Sequence, residues 1–296
     1  MINIDYERYR ASRIVHKSLS RLRLRDGVSA VNTLQISSTK QLDFYSYLNA
    51  ADTLIVSFHG AYNGKNPGSY PMFWRISSLS HKTGAFLAFT DPTRLQGGEN
   101  DILVSWFLGK EGWDPQSVIL NVVESAMKVC GAKRVMFVGG SGGGFAALRA
   151  SAAVSGSCAF VQDATVGLEK HNPKIVETYF RKAWPGWNQE KLLNAFPELF
   201  SMTLHYRRRV PENFVYMIQS LKDKGHLDDH FERFARAHGI PTEGGVSRGK
   251  GRVLKTYTPC VPGHGKITAA EFDYYYKECM SDWKNWEYSK SKLTAR

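Results

Sequence analysis

The chain has 296 residues, of which 43% are hydrophobic and 22% charged, with 39 Lys and Arg against 27 Asp and Glu. That composition excludes a collagen, a coiled coil and a largely disordered chain, and apolar runs of about eight residues are far short of the roughly 18 that span a bilayer. The net charge of +12 attracts anions. It is spread over clusters at Arg8–Arg25, Arg207–Arg209 and Arg248–Lys255, and no zinc-finger or RNP-type motif accompanies them. Solvated basic faces are therefore expected, with nucleic acid not the expected partner.

In chain order, residues 1–30 read as a basic N-terminal helical segment, with Arg and scattered aromatics over 1–25. The opening MINIDYERYRASRIVHKS has no apolar h-region, so a secretory signal is not expected. Short strands are expected at 32–38 and 43–48. TLIVSF at 53–58 is a continuous apolar strand stopped by His59-Gly60, followed by a Gly/Pro-rich loop over 61–70. AFLAFT at 85–90 is a second buried strand. Asp114-Pro115 then opens a helix to Cys130, with Val118, Val122, Ala126 and Val129 at helical spacing. Further strands follow at 134–138, 158–161, 214–218 and 252–257, and a C-terminal helix begins near Thr268 with an aromatic face of Phe272, Tyr275, Tyr276 and Trp283.

Strands alternating with helices predict an α/β fold, a mostly parallel central sheet flanked by helices. Residues 165–210 break the alternation and read as a helical cap insertion. Their aromatics, Trp184, Trp187, Phe196 and Phe200, either line a substrate pocket or form the insertion's own small core. The four cysteines make no CxxC pair. Cys130 and Cys158 read as small core residues, and a reducing cytoplasm is the expected compartment.

The sharpest feature is Gly139-Gly140-Ser141-Gly142-Gly143, a G-x-S-x-G match set between the strand RVMFV and the helix FAALRASAAV. A strand that turns sharply into a helix at a serine forces that serine into strained backbone, and its neighbours must be small. The turn also presents Ser141 at a helix N-terminus, where backbone N–H groups stabilise a developing oxyanion. A Gly-rich phosphate turn is the competing reading. It lacks a P-loop lysine, and it follows the third of the buried apolar strands rather than the first.

With these residues in view, the chain resembles the α/β-hydrolase superfamily over about residues 50–285. The resemblance rests on the GGSGG turn, on His59-Gly60 after TLIVSF and on Gly263-His264-Gly265. It implies a single domain over 1–296 and a Ser141, Asp223, His264 triad in the family's chain order, with Gly60 or Ala61 and Gly142 as oxyanion donors. HGAYNG stands where the family's longer form is HGGG, which leaves the first donor open between Gly60 and Ala61. The acid also has alternatives, in Asp163 at the end of the preceding strand and in Asp228 and Asp229. The run QSLKDKGHLDDHF and the turn VGGSGGGFAAL further resemble hydrolase-like proteins encoded with bacterial capsule and surface-glycan genes.

The implied activity is serine-dependent ester hydrolysis without a cofactor, on a small-molecule or glycan ester, anionic ones included. O-acyl transfer to a surface glycan, or a binding role without catalysis, are the alternatives. His226, His230 and His238 read as surface or cap contacts. His226 and His230 have metal-ligand spacing on a helix, but HLDDH lacks the H-E-x-x-H pattern and offers no third ligand, so no metal is expected.

Overall fold

The computed structural model describes residues 3–62, 70–97 and 102–294. Among these, ten strands form one sheet in the order β1-β2-β3-β5-β4-β6-β7-β8-β10-β9. They are β1 (Ser12–His16), β2 (Ala30–Ser37), β3 (Lys40–Leu48), β4 (Thr53–Phe58), β5 (Ala85–Phe89), β6 (Arg134–Gly140), β7 (Cys158–Gln162), β8 (Phe214–Ser220), β9 (Gly244–Ser247) and β10 (Arg252–Tyr257). From β5 through β4, β6, β7 and β8 to β10 every pairing is parallel, while β3 runs antiparallel to β2 and to β5, and β9 to β10.

The apolar runs are continuous because both faces of the central strands are covered. On β4, Leu54, Val56 and Phe58 face one core, whereas Ile55 faces the other. Val135 and Phe137 of β6 alternate in the same way with Met136 and Val138. The first core is closed by α2 (Gln116–Cys130) and α3 (Gly142–Ala152), the second by α1 (Ile76–Thr83) and α10 (Ala269–Thr294).

Helix ends follow local chemistry. Asp114 accepts the Gln116 N–H at 2.9 Å at the start of α2. Thr268 and Glu271 form a reciprocal capping box ahead of α10, Thr268 N–H to Glu271 at 2.8 Å and Glu271 N–H to Thr268 Oγ1 at 3.2 Å. The aromatic face expected on that helix is buried at Phe272, Tyr276 and Trp283.

The N-terminal segment differs from expectation. Among its described residues there is no α-helix. Glu7–Tyr9 and Leu19–Arg21 are single 3-10 turns, and Ser12–His16 is an edge strand parallel to β2. The scattered aromatics are docking points rather than a helical face. The Tyr9 ring packs 4.7 Å from that of Phe73, its hydroxyl donates to the Pro71 carbonyl at 2.8 Å, and Arg13 lies over Tyr6 at 3.7 Å. The adjacent β-branched pair Ile14-Val15 suits a strand.

Between β7 and β8 run four helices, α4 (Pro173–Ala183), α5 (Gln189–Ala195), α6 (Pro197–Phe200) and α7 (Met202–Arg209). Their aromatics pack largely on one another. The ring of Phe200 sits 5.2 Å from Phe180 and 5.8 Å from Trp184, and Trp187 sits 5.6 Å from Phe196. Tyr179 and Tyr206 anchor the insert by donating to the carbonyls of Gly109 (3.1 Å) and Leu148 (2.8 Å). The loop read over 61–70 falls mostly outside the described residues. No helix of the described residues is long and apolar enough to cross a membrane.

Candidate active site

Ser141, Asp163, Asp223 and His264 all lie at or just beyond the C-terminal ends of parallel strands, β6, β7, β8 and β10, where open α/β sheets place their ligands. Ser141 joins β6 to α3 with φ 54° and ψ −123°, backbone that a non-glycine residue rarely adopts. The turn is held on both sides, since Ser141 N–H donates to the Gln162 carbonyl (3.1 Å) and the Ser141 carbonyl accepts from Thr165 N–H (3.1 Å). The surrounding glycines answer to close backbone approach. A Cβ at Gly139 would stand 2.0 Å from the Gly143 carbonyl oxygen, and one at Gly143 2.3 Å from that of Phe58.

His264 sits between Gly263 and Gly265, whose φ values of 117° and 66° need glycine. Its Nδ1 lies 2.5 Å from Asp223 Oδ2. Burial pushes the Asp223 carboxyl up, but hydrogen bonds to His226 and His264 and their positive charge outweigh it and hold it well below the usual carboxylate range. Asp163, the alternative acid, is spent on the scaffold. It accepts from Ser220 N–H at 2.8 Å, from the Gln162 side chain at 3.1 Å and from Gly265 N–H at 3.2 Å, and its pKa is raised by burial. It thus fixes the backbone beside His264 rather than the imidazole. Asp228 and Asp229 lie in a π-helical turn, Leu227–Phe231. Among the described residues no hydrogen bond joins the Ser141 hydroxyl to His264, and catalytic hydrogen bonds are often loose until substrate arrives.

Gly60 approaches the serine closely, since a Cβ there would stand 3.3 Å from Ser141 Cβ. Gly142 opens α3, so its N–H has no partner within the helix. The His59 ring, which has no role readable from its chain position, sits behind this loop. Its Nε2 accepts from Asp91 N–H at 2.9 Å, so the proton is on Nδ1, which donates to the Gly60 carbonyl at 2.6 Å. In a trans peptide the N–H points opposite the carbonyl, so this bond fixes the direction of the Ala61 N–H. Asp91 is pinned in turn by Ser105 Oγ (2.8 Å) and Phe107 N–H (2.7 Å). Only the fold reveals this, because His59 and Asp91 are 32 residues apart in the chain.

Burial holds His59 at about 4, from 6.5. His238 is likewise pushed to about 4, by burial and then by Arg252 and Lys250. Both take up a proton more readily in the unfolded chain. Their neutral form stabilises the fold fully above about pH 6.5, and that contribution is lost as pH falls toward 4. A fall of a few kcal/mol in unfolding free energy across that window is expected, read by urea titration at stepped pH, and His238→Phe should make it shallower while leaving the contribution of His59.

Of the two expectations for His226, His230 and His238, cap contact holds rather than surface position, since the His171 ring lies 6.1 Å from those of His226 and His230 and the Tyr206 ring 6.0 Å from that of His238. His230 and His238 are buried, and the His226 ring stacks on His264 with centroids 4.0 Å apart. The basic clusters are partly internal as well. Arg252 is buried and donates to the carbonyls of Pro211 (3.0 Å) and Gly251 (3.1 Å).

No protein-family model and no curated protein matches the chain. Solved structures do. The capsule O-acetyltransferase of Neisseria meningitidis serogroup A superposes with a TM-score of 0.57 at 13% identity, over 90% of this chain and 99% of that one. A hormone-sensitive lipase from a metagenome library gives 0.55 at 12%, over 90% and 88%. Carboxyl esterase 2 of the fungus Tuber melanosporum gives 0.53 at 14%, over 92% and 89%. The fold is the α/β-hydrolase fold. A histidine variant of the capsule enzyme has been solved in complex with CoA.

Proposed function

We propose that this chain is a serine-dependent acyl-transfer enzyme acting on carboxylic esters. The observation that carries the reading is the backbone of Ser141. A non-glycine residue is held at φ 54° in a turn whose neighbours are all glycine, and the strain is explained by presenting its Oγ at the helix N-terminus.

In this reading Ser141 Oγ attacks the ester carbonyl carbon while His264 Nε2 takes its proton. Asp223 accepts the Nδ1–H of His264, which fixes the tautomer and stabilises the imidazolium. The N–H groups of Gly142 and of Ala61, or Gly60, hold the tetrahedral oxyanion. The C–O bond to the alcohol then breaks, and the alcohol leaves with the proton from His264. An acceptor hydroxyl attacks the acyl-serine, gives its proton to His264, and Ser141 is restored. No cofactor enters these steps.

With water as acceptor the enzyme is an esterase. A second reading, O-acyl transfer to a glycan hydroxyl, draws support from the capsule O-acetyltransferase, which matches this chain over nearly its whole length. In that case an acyl thioester of CoA is the natural donor class, by analogy with the CoA complex. Positioning an acceptor lets it outrun water, because effective molarities reach about 10⁵ M or more against about 55 M for water. The test is to incubate the protein with p-nitrophenyl acetate or acetyl-CoA, with and without an acidic oligosaccharide, and to quantify free acetate and acetylated sugar by mass spectrometry. Turnover of either donor supports acyl transfer, and acetylated sugar selects the second reading. No turnover of any ester or thioester would overturn both.

The acid assignment carries its own expectation. Asp223→Asn should lower turnover about 10³–10⁴-fold with KM little changed, because the tautomer is lost. Asp163→Asn should act mainly on stability, lowering the urea midpoint. The reverse pattern would assign the acid to β7.

A further inference from the structure

We propose that His171, His226 and His230 form a three-imidazole site for a divalent transition-metal ion of the zinc class, linked through Asp223 to His264. His171 follows the 3-10 turn Leu168–Lys170 after β7, at the entrance to the insert. His226 closes the single turn Lys224–His226, and His230 lies one turn on in the π-helical segment Leu227–Phe231. π-helical turns occur often at functional sites. The i,i+4 pair already had ligand spacing in the sequence. The fold supplies the third ligand from 55 residues upstream.

Each of the three imidazoles offers one nitrogen, and these nitrogens all lie within 4.8 Å of one another. Nitrogens bound tetrahedrally to zinc sit about 3.4 Å apart, so closure requires side-chain rotations of roughly 1 Å. The ring centroids of His226 and His230 are 4.8 Å apart, and His171 is 6.1 Å from each.

Three further features fit a metal. Among the described residues, the buried Nε2 of His226 has no hydrogen-bond partner, while its Nδ1 lies 3.4 Å from Asp223 Oδ2. A carboxylate behind one ring nitrogen, with the other left open, is the arrangement that orients metal-binding histidines. His230 Nδ1 holds only a long contact, 3.5 Å, from Val166 N–H, which a coordinate bond would replace. An all-imidazole donor set favours zinc, copper or nickel over magnesium or calcium.

A bound ion would tie the start of the insert to the helical turns after β8. It would also fix His226 Nδ1–H on Asp223, whose Oδ2 faces His264 at 2.5 Å. The ion is thus placed to hold the acid rather than to touch the ester. A second grouping, Asp223 with His226 and His264, competes for the same ion.

The test uses the full chain, treated with chelator and dialysed. Zinc binding is followed by calorimetry, and cobalt binding by visible absorption. One zinc per chain is expected, with micromolar affinity or better, and an intense four-coordinate cobalt spectrum. His171→Phe, which keeps a ring beside Trp106 (5.2 Å), and His230→Ala should each weaken zinc at least about 100-fold, whereas His264→Ala should retain it. Melting curves without metal separate loss of ligand from loss of fold. If a variant does not fold, the wild-type cobalt spectrum decides between a four-coordinate and a six-coordinate site. No zinc binding, a six-coordinate spectrum, or loss in His264→Ala but not in His171→Phe would overturn the proposal.

Discussion

Replacing Ser141 by alanine will lower turnover of an activated ester about 10⁴–10⁶-fold, and adding His264→Ala will cost little more. The two side chains act in one step in the proposed mechanism. Without the serine there is no proton for His264 to take, so the second loss has nothing left to remove. Each single variant should therefore resemble the double. The check is a double-mutant cycle on kcat/KM with p-nitrophenyl acetate. Losses that multiply would mean that the residues serve separate steps, and the proposed triad would fail. Stability is a necessary control, since Ser141 is strained. Relief of an unusual backbone leaves Ser141→Ala unchanged, because alanine also carries a Cβ, so the melting temperature should move little.

The largest stability losses are expected at the glycines beneath the serine. A Cβ at Gly139 would stand 2.0 Å from Gly143 O, and one at Gly143 2.3 Å from Phe58 O and 2.7 Å from His59 O. All of these partners are backbone, so no flexible side chain can swing away. Either β6 and α3 must separate or β4 must shift, and each opens a packed core. Gly139→Ala and Gly143→Ala should each destabilise by about 4 kcal/mol or more, or fail to give folded protein. Gly249→Ala is the control. Nothing lies within 4 Å of its added Cβ, and a change of no more than about 0.5 kcal/mol is expected. Urea midpoints decide between these outcomes. Near-neutral Gly139→Ala would mean that the turn is looser than its geometry implies.

The central strands were legible because their burial is two-sided. β4 at Thr53–Phe58 and β10 at Arg252–Tyr257 coincide with the expected runs, and β6 extends the expected run by two glycines into the elbow. The elbow could be read because the strand, the Gly-flanked serine and the helix follow one another directly in the chain, although of its glycines Gly139 answers to Gly143 within the turn and Gly143 to Phe58 across the sheet. β1 could not. It is an exposed edge strand, and the aromatic just before it, Tyr9, is explained only by Pro71 and Phe73, more than sixty residues away. α1 and β9 also escaped notice. α1 carries a single fully buried apolar residue, Leu79, and β9 begins with two glycines.

The candidate site divides along the same line. Ser141 and His264 sit in local sequence settings that signal themselves. The choice between Asp223 and Asp163 depended on which carboxylate reaches His264 across 41 residues of chain, and only the fold brings Asp223 to 2.5 Å while tying Asp163 to three other donors. The histidines show the limit most clearly. His226 reads from the sequence only as a surface or cap contact, because helical spacing says nothing about what lies opposite. The structure sets it against His264 on one side and near His171 and His230 on the other.

The most direct test of the central claim is covalent labelling of the folded protein with a serine-directed fluorophosphonate, followed by intact mass and peptide mapping. A single adduct is expected, carried by the peptide that contains Ser141, absent from Ser141→Ala and strongly slowed in His264→Ala. An unlabelled protein that still turns over esters, or an adduct that persists in Ser141→Ala, would contradict it.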